Sequence, residues 1–264
     1  MRAARQYIPL SADTCTPLDA RWASPRVSPR GPGPSASVMR ALGSEVQDNM
    51  KIAVFGTGSV GTTIGNKLVQ LGHEVKMGSR SASHEKGLAW VKQAGEKASL
   101  GTFADAADFG ALAFNCTSGF GSLPALEAAA AALRGKVVID IANPLDFSKG
   151  PPPTLFTGNT DSLGEQAQRA LPDSKVVKAL NTVTASLMVD AKRVAGGNHD
   201  ALICGNDAEA KAEVTKILKD WFGWQSVVDL GDISKARGLE SYLALWVRLY
   251  GALGTADFNV KIMR

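Results

Sequence analysis

Three glycines, Gly56, Gly58 and Gly61, stand at G-x-G-x-x-G spacing in the stretch Met50-Lys51-Ile52-Ala53-Val54-Phe55-Gly56-Thr57-Gly58-Ser59-Val60-Gly61. Each has a separate physical task if the turn holds a pyrophosphate. Gly56 permits a sharp exit from a strand. At Gly58 a missing Cβ lets phosphate approach the main chain. At Gly61 it lets a helix pack close to a sheet. The new helix then aims its unpaired N–H groups and positive dipole end at the phosphates.

Glycines at this spacing occur by chance, so the context decides. The apolar run Ile52 to Phe55 reads as a strand, an amphipathic pattern follows Ser59, and a second strand, Glu74 to Met77, arrives at the expected distance. That favours a dinucleotide site over a glycine turn without a ligand. An NAD site usually carries Asp or Glu at the end of the second strand, to hold the ribose 2′-hydroxyl. Here the chain reads Val75-Lys76-Met77-Gly78-Ser79-Arg80, without a carboxylate. Ser79 can donate a hydrogen bond, and Arg80 offers a planar fork of donors to a 2′-phosphate. His84 or Lys86 could add charge to the same pocket. The expected cofactor is NADP(H).

Ligands of open α/β sheets sit at the carboxyl ends of strands. Asn115, Cys116, Thr117 and Ser118 end one such strand, and Asn143 follows another, so these residues are expected along the cofactor. Cys116 has no visible group to lower its pKa and is not read as a nucleophile. Lys178 is weighed as a proton donor against a structural lysine in a strand. His73 is read as a turn residue. Cys15, Cys116 and Cys204 lie far apart, as do His73, His84 and His199, so no metal site is expected.

The elements that must position these groups alternate through the chain. After the first strand, Ser59 to Leu71 reads as a helix with Val60, Ile64, Leu68 and Leu71 on one face. Helices are expected from about His84 to Ala94, over Ala104 to Phe109, from Pro124 to Leu133, from Asp161 or Ser162 to Ala170, and from Ala208 to Phe222. Strands are expected near Ala98 to Phe103, Ala111 to Thr117, Lys136 to Asp140, Lys175 to Leu180, Ala201 to Cys204 and Gln225 to Asp229. Gly150-Pro151-Pro152-Pro153 must be a loop. A single long helix, Ile233 to Leu253, is expected at the end. Its stripe of Leu239, Tyr242, Leu243, Trp246, Leu249 and Tyr250 is read as core or homodimer interface in preference to a cofactor box.

The pattern gives an α/β fold: a Rossmann-type, doubly wound, mostly parallel sheet with a C-terminal α/β extension ending in a long helix. The expected organisation is an extension over 1–49, an NADP-binding domain over 50–180, and a part over 181–264 that completes the acceptor site. The extension holds six of the twelve prolines and no sustained apolar period, so it is expected to be disordered. Its arginines suggest a transit peptide, but Asp13, Asp19, Glu45 and Asp48 count against one. Met50, directly before the first strand, is favoured as the natural start.

With 264 residues, 45% of them hydrophobic, the chain can bury a substantial core. Its net charge of +4 is scattered, without the basic-aromatic clusters of a nucleic-acid surface. No apolar run reaches membrane-spanning length. Three cysteines make no disulfide framework, which fits a cytoplasmic protein.

The whole chain resembles the coenzyme F(420)-dependent NADP oxidoreductase family, including its bacterial relatives. The matching pieces are Gly56-Thr57-Gly58-Ser59-Val60-Gly61, Gly78-Ser79-Arg80, Val177-Lys178-Ala179-Leu180-Asn181-Thr182, Cys204-Gly205-Asn206-Asp207 and Phe258-Asn259-Val260-Lys261-Ile262. The resemblance runs from about Lys51 to the C-terminus. It implies hydride transfer between the nicotinamide of NADP(H) and a deazaflavin or flavin-type ring, with coenzyme F(420) or a flavin as co-substrate. It implies NADP contacts at Thr57, Ser59, Val60, Ser79 and Arg80. Asn181, Gly205 and Asn206 fall where it expects the acceptor, and Asn181 joins Lys178 as a candidate catalytic residue.

The residues agree in one respect. Ketone reduction needs a positioned proton donor, and neither a Tyr-x-x-x-Lys pattern nor a His paired with a carboxylate is visible. Ring-to-ring hydride exchange needs mainly alignment and exclusion of water. The rival functions are an NADPH-dependent reductase of a small carbonyl or imine, and a non-catalytic NADPH-sensing regulator. A small-molecule redox partner is expected.

Overall fold

The computed structural model describes residues 49–264. The expectation of disorder before the first strand therefore lies, but for Asn49, outside the described residues.

In chain order the elements are β1 (Lys51–Phe55), α1 (Ser59–Gln70), β2 (Glu74–Ser79), α2 (Glu85–Ala94), β3 (Ala98–Thr102), α3 (Phe103–Phe109), β4 (Leu112–Asn115), α4 (Gly119–Leu133) and β5 (Val137–Asp140). A small antiparallel hairpin follows, β6 (Leu145–Asp146) with β7 (Thr154–Leu155). Then come α5 (Leu163–Ala170), β8 (Lys175–Ala179), the one-turn α6 (Ala185–Met188), β9 (Asp200–Gly205), α7 (Ala208–Phe222), β10 (Ser226–Asp229), α8 (Ala236–Ser241) and α9 (Leu243–Leu253).

Eight strands form one sheet in the order β10-β9-β8-β5-β4-β1-β2-β3. Every neighbouring pair is parallel except β8 with β9. The expected mostly parallel, Rossmann-type sheet is the observed one. The register sets a row of residues side by side across it: Phe55 opposite Asn115, Asn115 opposite Asp140, Asp140 opposite Lys178, and Lys178 opposite Cys204.

Strand β1 shows why the sheet is closed on both faces. Ile52 and Val54 enter one apolar cluster with Ile64, Leu68, Trp90, Val214 and Leu218, while Ala53 and Phe55 enter another with Leu126, Ala129 and Leu133. Alternate residues of a strand point to opposite faces, so a run buried on both faces is apolar throughout. Helix α1 buries Gly61, Ile64, Gly65 and Leu68, the i, i+3, i+4, i+7 set, and burial of Ile64 and Leu68 contributes about 1.5–3 kcal/mol each. Gly65 admits the Trp90 ring, whose indole N–H donates to Asn66 at 2.8 Å.

Three expectations need correcting. The helix expected from Pro124 begins at Gly119, with Pro124 inside it. Pro124 is the sixth residue of that helix, so its missing N–H removes one regular helical bond, the one to the Phe120 carbonyl. The long final helix is divided. A 3-10 turn over Ile233–Lys235 leads into α8, and α9 starts after Tyr242. The expected strand Lys175 to Leu180 stops at Ala179, because Leu180 turns to φ +60°.

Candidate functional site

The glycine turn is built by contacts that exclude side chains. Gly56 has φ +108°, and a Cβ there would lie 2.7 Å from the Cys116 carbonyl oxygen. A Cβ on Gly61 would lie 1.9 Å from the Gly56 carbonyl oxygen, so the close packing at Gly61 is helix against turn. A Cβ on Gly58 would meet nothing within 4 Å and would project into open space. No side chain caps α1, and its first turn holds no carboxylate. Its leading N–H groups are thus available to an anion, which fits a dinucleotide pyrophosphate.

Two cavities open from this turn. One, of about 770 Å³, is lined by Gly56, Thr57, Gly58, Ser79, Arg80 and His84 among others. Among the described residues, none that lines it is acidic. The Ser79 hydroxyl donates to the Ser81 carbonyl at 2.6 Å, and Arg80 is exposed. Lys86 does not line this cavity. The other, of about 660 Å³, is lined by Ser59, Val60, Asn143, Asn181, Met188 and Trp246 among others. Cys116, Thr117, Ser118 and Phe120 line both, so the loop after β4 is their shared wall.

Asn115 departs from its expected place along the cofactor. Its side chain is buried and lines neither cavity. Its Nδ2 donates to Ser122 Oγ at 2.7 Å and to Asp140 Oδ1 at 2.8 Å, while Oδ1 accepts from the Thr117 hydroxyl at 2.7 Å. It therefore fixes the shared loop from beneath. Burial, with the Asp140 charge in support, pushes the Cys116 thiol far up. Burial likewise pushes the Cys204 thiol up to about 12. Neither is a thiolate at neutral pH.

Asn143 and Asn181 meet across the ends of β5 and β8. Asn143 Nδ2 donates to the Asn181 carbonyl at 2.8 Å, and Asn181 Nδ2 donates to Asn143 Oδ1 at 2.9 Å. Asn181 Nδ2 also reaches the Leu239 carbonyl at 3.2 Å, and its Oδ1 has no partner among the described residues. Lys178 is wholly buried and lines neither cavity. Its Nζ lies 2.8 Å from the carboxylates of both Asp140 and Glu240.

Gly205 and Asn206 do not join the edge that carries Asn181. Because β9 runs antiparallel to β8, its end leads away from the edge that carries Gly56, Asn143 and Asn181. Gly205 stands opposite Val177, and Asn206 lines a separate hollow with Lys175 and Asp207. The orientation of one strand overturns that reading. Sequence reasoning also missed several lining residues: Phe120, Asp146, Phe147, Met188 and Trp246. Asp146 and Phe147 follow Asn143-Pro144 at the correct sheet edge, a signal that was there to use. Trp246 belongs to the stripe assigned to packing, yet it forms part of a cavity wall.

Residues 51–144 match the family described as NADP oxidoreductase, coenzyme F420-dependent. A candidate F420-dependent NADP-reductase from Arthrobacter sp. FB24, solved as a crystal structure, is 53% identical with a TM-score of 0.77. The similarity covers 82% of this chain and 100% of that one. The chain belongs to the coenzyme F420-dependent NADP oxidoreductase family. It is an NADP(H)-dependent oxidoreductase of that family. An F420-dependent NADP reductase of Methanothermobacter marburgensis is 29% identical over 209 residues, 76% of this chain and 92% of that enzyme. Its counterpart in Methanocaldococcus jannaschii is 34% identical over 127 residues, 47% of this chain. The chain spans 56% of the length of that second enzyme. No helix among the described residues is long and apolar enough to cross a membrane, and they include no group of three or more His, Cys, Asp or Glu able to hold a metal ion.

Proposed function

We propose that the protein transfers a hydride between the nicotinamide of NADP(H) and a deazaflavin or flavin-type ring, with the two cavities as cofactor and acceptor compartments. The observation that carries this reading is the wall they share, Cys116, Thr117, Ser118 and Phe120, beyond the carboxyl end of β4. In this reading the first turn of α1 and Gly58 hold the pyrophosphate, with Thr57, Ser59 and Val60 around it. Ser79 and Arg80 hold the 2′-phosphate, with His84 beside them. Thr117 and Asn143 border the nicotinamide, and the unpartnered Asn181 Oδ1 accepts a hydrogen bond from a ring N–H.

NADPH, when bound, supplies the two electrons and hydrogen of the hydride; the ring's second hydrogen comes from solvent as a proton. The chain's own part is alignment and exclusion of water. Its side chains suit that part: the acceptor cavity is walled by Val60, Phe120, Phe147, Met188, Leu243 and Trp246, and among the described residues Asp146 is its only Asp, Glu, His, Lys or Arg. Fixing two rings face to face substitutes for acid–base machinery.

The reading extends to a cytoplasmic protein with a small-molecule redox partner, supported by the free, buried thiols of Cys116 and Cys204. It extends also to a homodimer through α9, supported by the exposed Leu245, Tyr250 and Leu253. A single monomeric species at all concentrations in sedimentation would remove the dimer. The activity is tested by following NADPH absorbance with the deazaflavin coenzyme, riboflavin, FMN or FAD in separate cuvettes. Oxidation with one or more rings is expected. Tight NADPH binding without oxidation by any of them would overturn the proposal in favour of a sensor.

A further inference from the structure

Trp246 stands in the wall of the acceptor cavity, and its indole N–H has no partner among the described residues. Two aromatic stacks orient it instead. One is with Tyr250, a turn along the same helix, with ring centroids 5.7 Å apart and planes 6° from parallel. The other is with Phe258, with centroids 5.3 Å apart and planes at 28°. Tyr250 moves with α9, so Phe258 is the stack that ties the indole to another segment. That tie matters because α9 is lightly seated: among the described residues, Leu243 is its one buried side chain.

The segment that carries Phe258 is fastened at the start of β9. Asn259 Nδ2 donates to the Asp200 carbonyl at 2.9 Å and lies 2.8 Å from His199 Nδ1. The Asp200 N–H donates to the Val260 carbonyl at 3.2 Å, and the Ile262 N–H donates to Asp200 Oδ2 at 2.6 Å. Because the Asn259 amide donates, His199 Nδ1 accepts, and Nε2 is left to donate to the Ala191 carbonyl at 2.8 Å. The buried His199 also stands edge-on to Trp224, whose indole N–H donates to the Met188 carbonyl at 3.1 Å. Met188 lines the same cavity as Trp246. One junction, His199-Asp200, thus leads to both residues of the cavity wall.

We propose, resting on the reading of this cavity as the acceptor compartment, that residues 258–262 form a strap that sets the Trp246 indole against the acceptor ring, with Phe258 and Asn259 as positioning residues. A flat ring gains most from an aromatic wall that is already in place. A loose indole must be ordered at each binding event, which weakens binding and lowers the share of complexes aligned for transfer. None of the strap residues lines the cavity around Gly56 and Arg80, so NADPH binding is independent of them.

The test is steady-state kinetics at saturating NADPH, with the deazaflavin coenzyme varied, or riboflavin if only flavins turn over. Phe258→Leu keeps the apolar bulk and loses the flat ring, a swap that spares the fold. It should lower kcat/KM for the acceptor about two- to tenfold, the span of one aromatic pair, mostly through KM. The NADPH dissociation constant should not change, and Phe258→Tyr should restore the rate. In a Trp246→Ala background Phe258→Leu should have no further effect, because the strap acts through the indole. An equal effect with and without Trp246, a matching loss of NADPH affinity, or an unchanged kcat/KM would overturn the proposal. Hydrogen exchange reads the strap without turnover. Asn259→Ala should speed exchange over Leu243–Leu253 and leave Lys51–Phe55 as it was, and unaltered exchange over α9 would overturn the proposal equally. Absence of turnover with every ring, despite NADPH binding, would instead remove the acceptor reading on which it rests.

Discussion

Lys178 Nζ lies 2.8 Å from the Glu240 carboxylate, with both side chains buried. Glu240 also accepts the N–H groups of Leu163 and Gly164, at 2.8 and 2.9 Å, at the start of α5. Lys178 continues to Asp140, and Asp140 to Asn115, which holds Thr117. An unbroken polar chain thus runs from α8 through the sheet to the wall between the cavities. The positive end of α5 shares the charge of Glu240, which offsets the second carboxylate around a single lysine.

Replacing Lys178 by Met should destabilise the fold by about 3–5 kcal/mol, because two carboxylates would remain buried without a cation. Urea denaturation would measure the loss. A cost under about 1 kcal/mol would contradict the network as described.

The same lysine should set the alkaline limit. Burial opposes its charge, but Asp140 and Glu240 outweigh burial and raise its pKa above the ordinary 10.5. A raised pKa means that the native state holds its proton more tightly than the unfolded chain. Its stabilisation is complete below pH 10.5 and fades as pH climbs through the native value. Stability measured against pH should fall on that side, and the fall should be shallower in Lys178→Met.

The glycines separate folding from binding. Gly61→Ala drives a Cβ into the Gly56 carbonyl and should cost about 1–3 kcal/mol or more of stability. Gly58→Ala meets open space, so its melting temperature should hold while NADPH affinity collapses. Thermal melts with and without NADPH distinguish the two, and an unstable Gly58→Ala protein would refute the assignment.

Arg80→Ala should weaken NADPH binding by about 1.5–3 kcal/mol, the range for hydrogen bonds to charged groups, and leave NADH nearly unchanged. Calorimetric titration with both cofactors gives the answer. Equal losses would sink the placement of Arg80 at the 2′-phosphate.

Local signals were enough to determine the strand-turn-helix around Gly56, the missing carboxylate after Gly78 and the alternation of strands and helices. Those features depend on residues near one another in sequence: a period of two or 3.6, or a glycine where a Cβ would clash. Tertiary structure alone decided the rest. Asn115 reads as a cleft residue until the register places it against Asp140. Lys178 reads as a proton donor or a strand lysine until Glu240, 62 positions later, closes on it. Gly205 and Asn206 read as acceptor ligands until β9 turns out to run against β8. Asp146 and Trp246 share a cavity only because the sheet brings their elements to one edge. Strand direction and long-range pairing arise from the free energy of the whole packed sheet, which no local window of sequence contains.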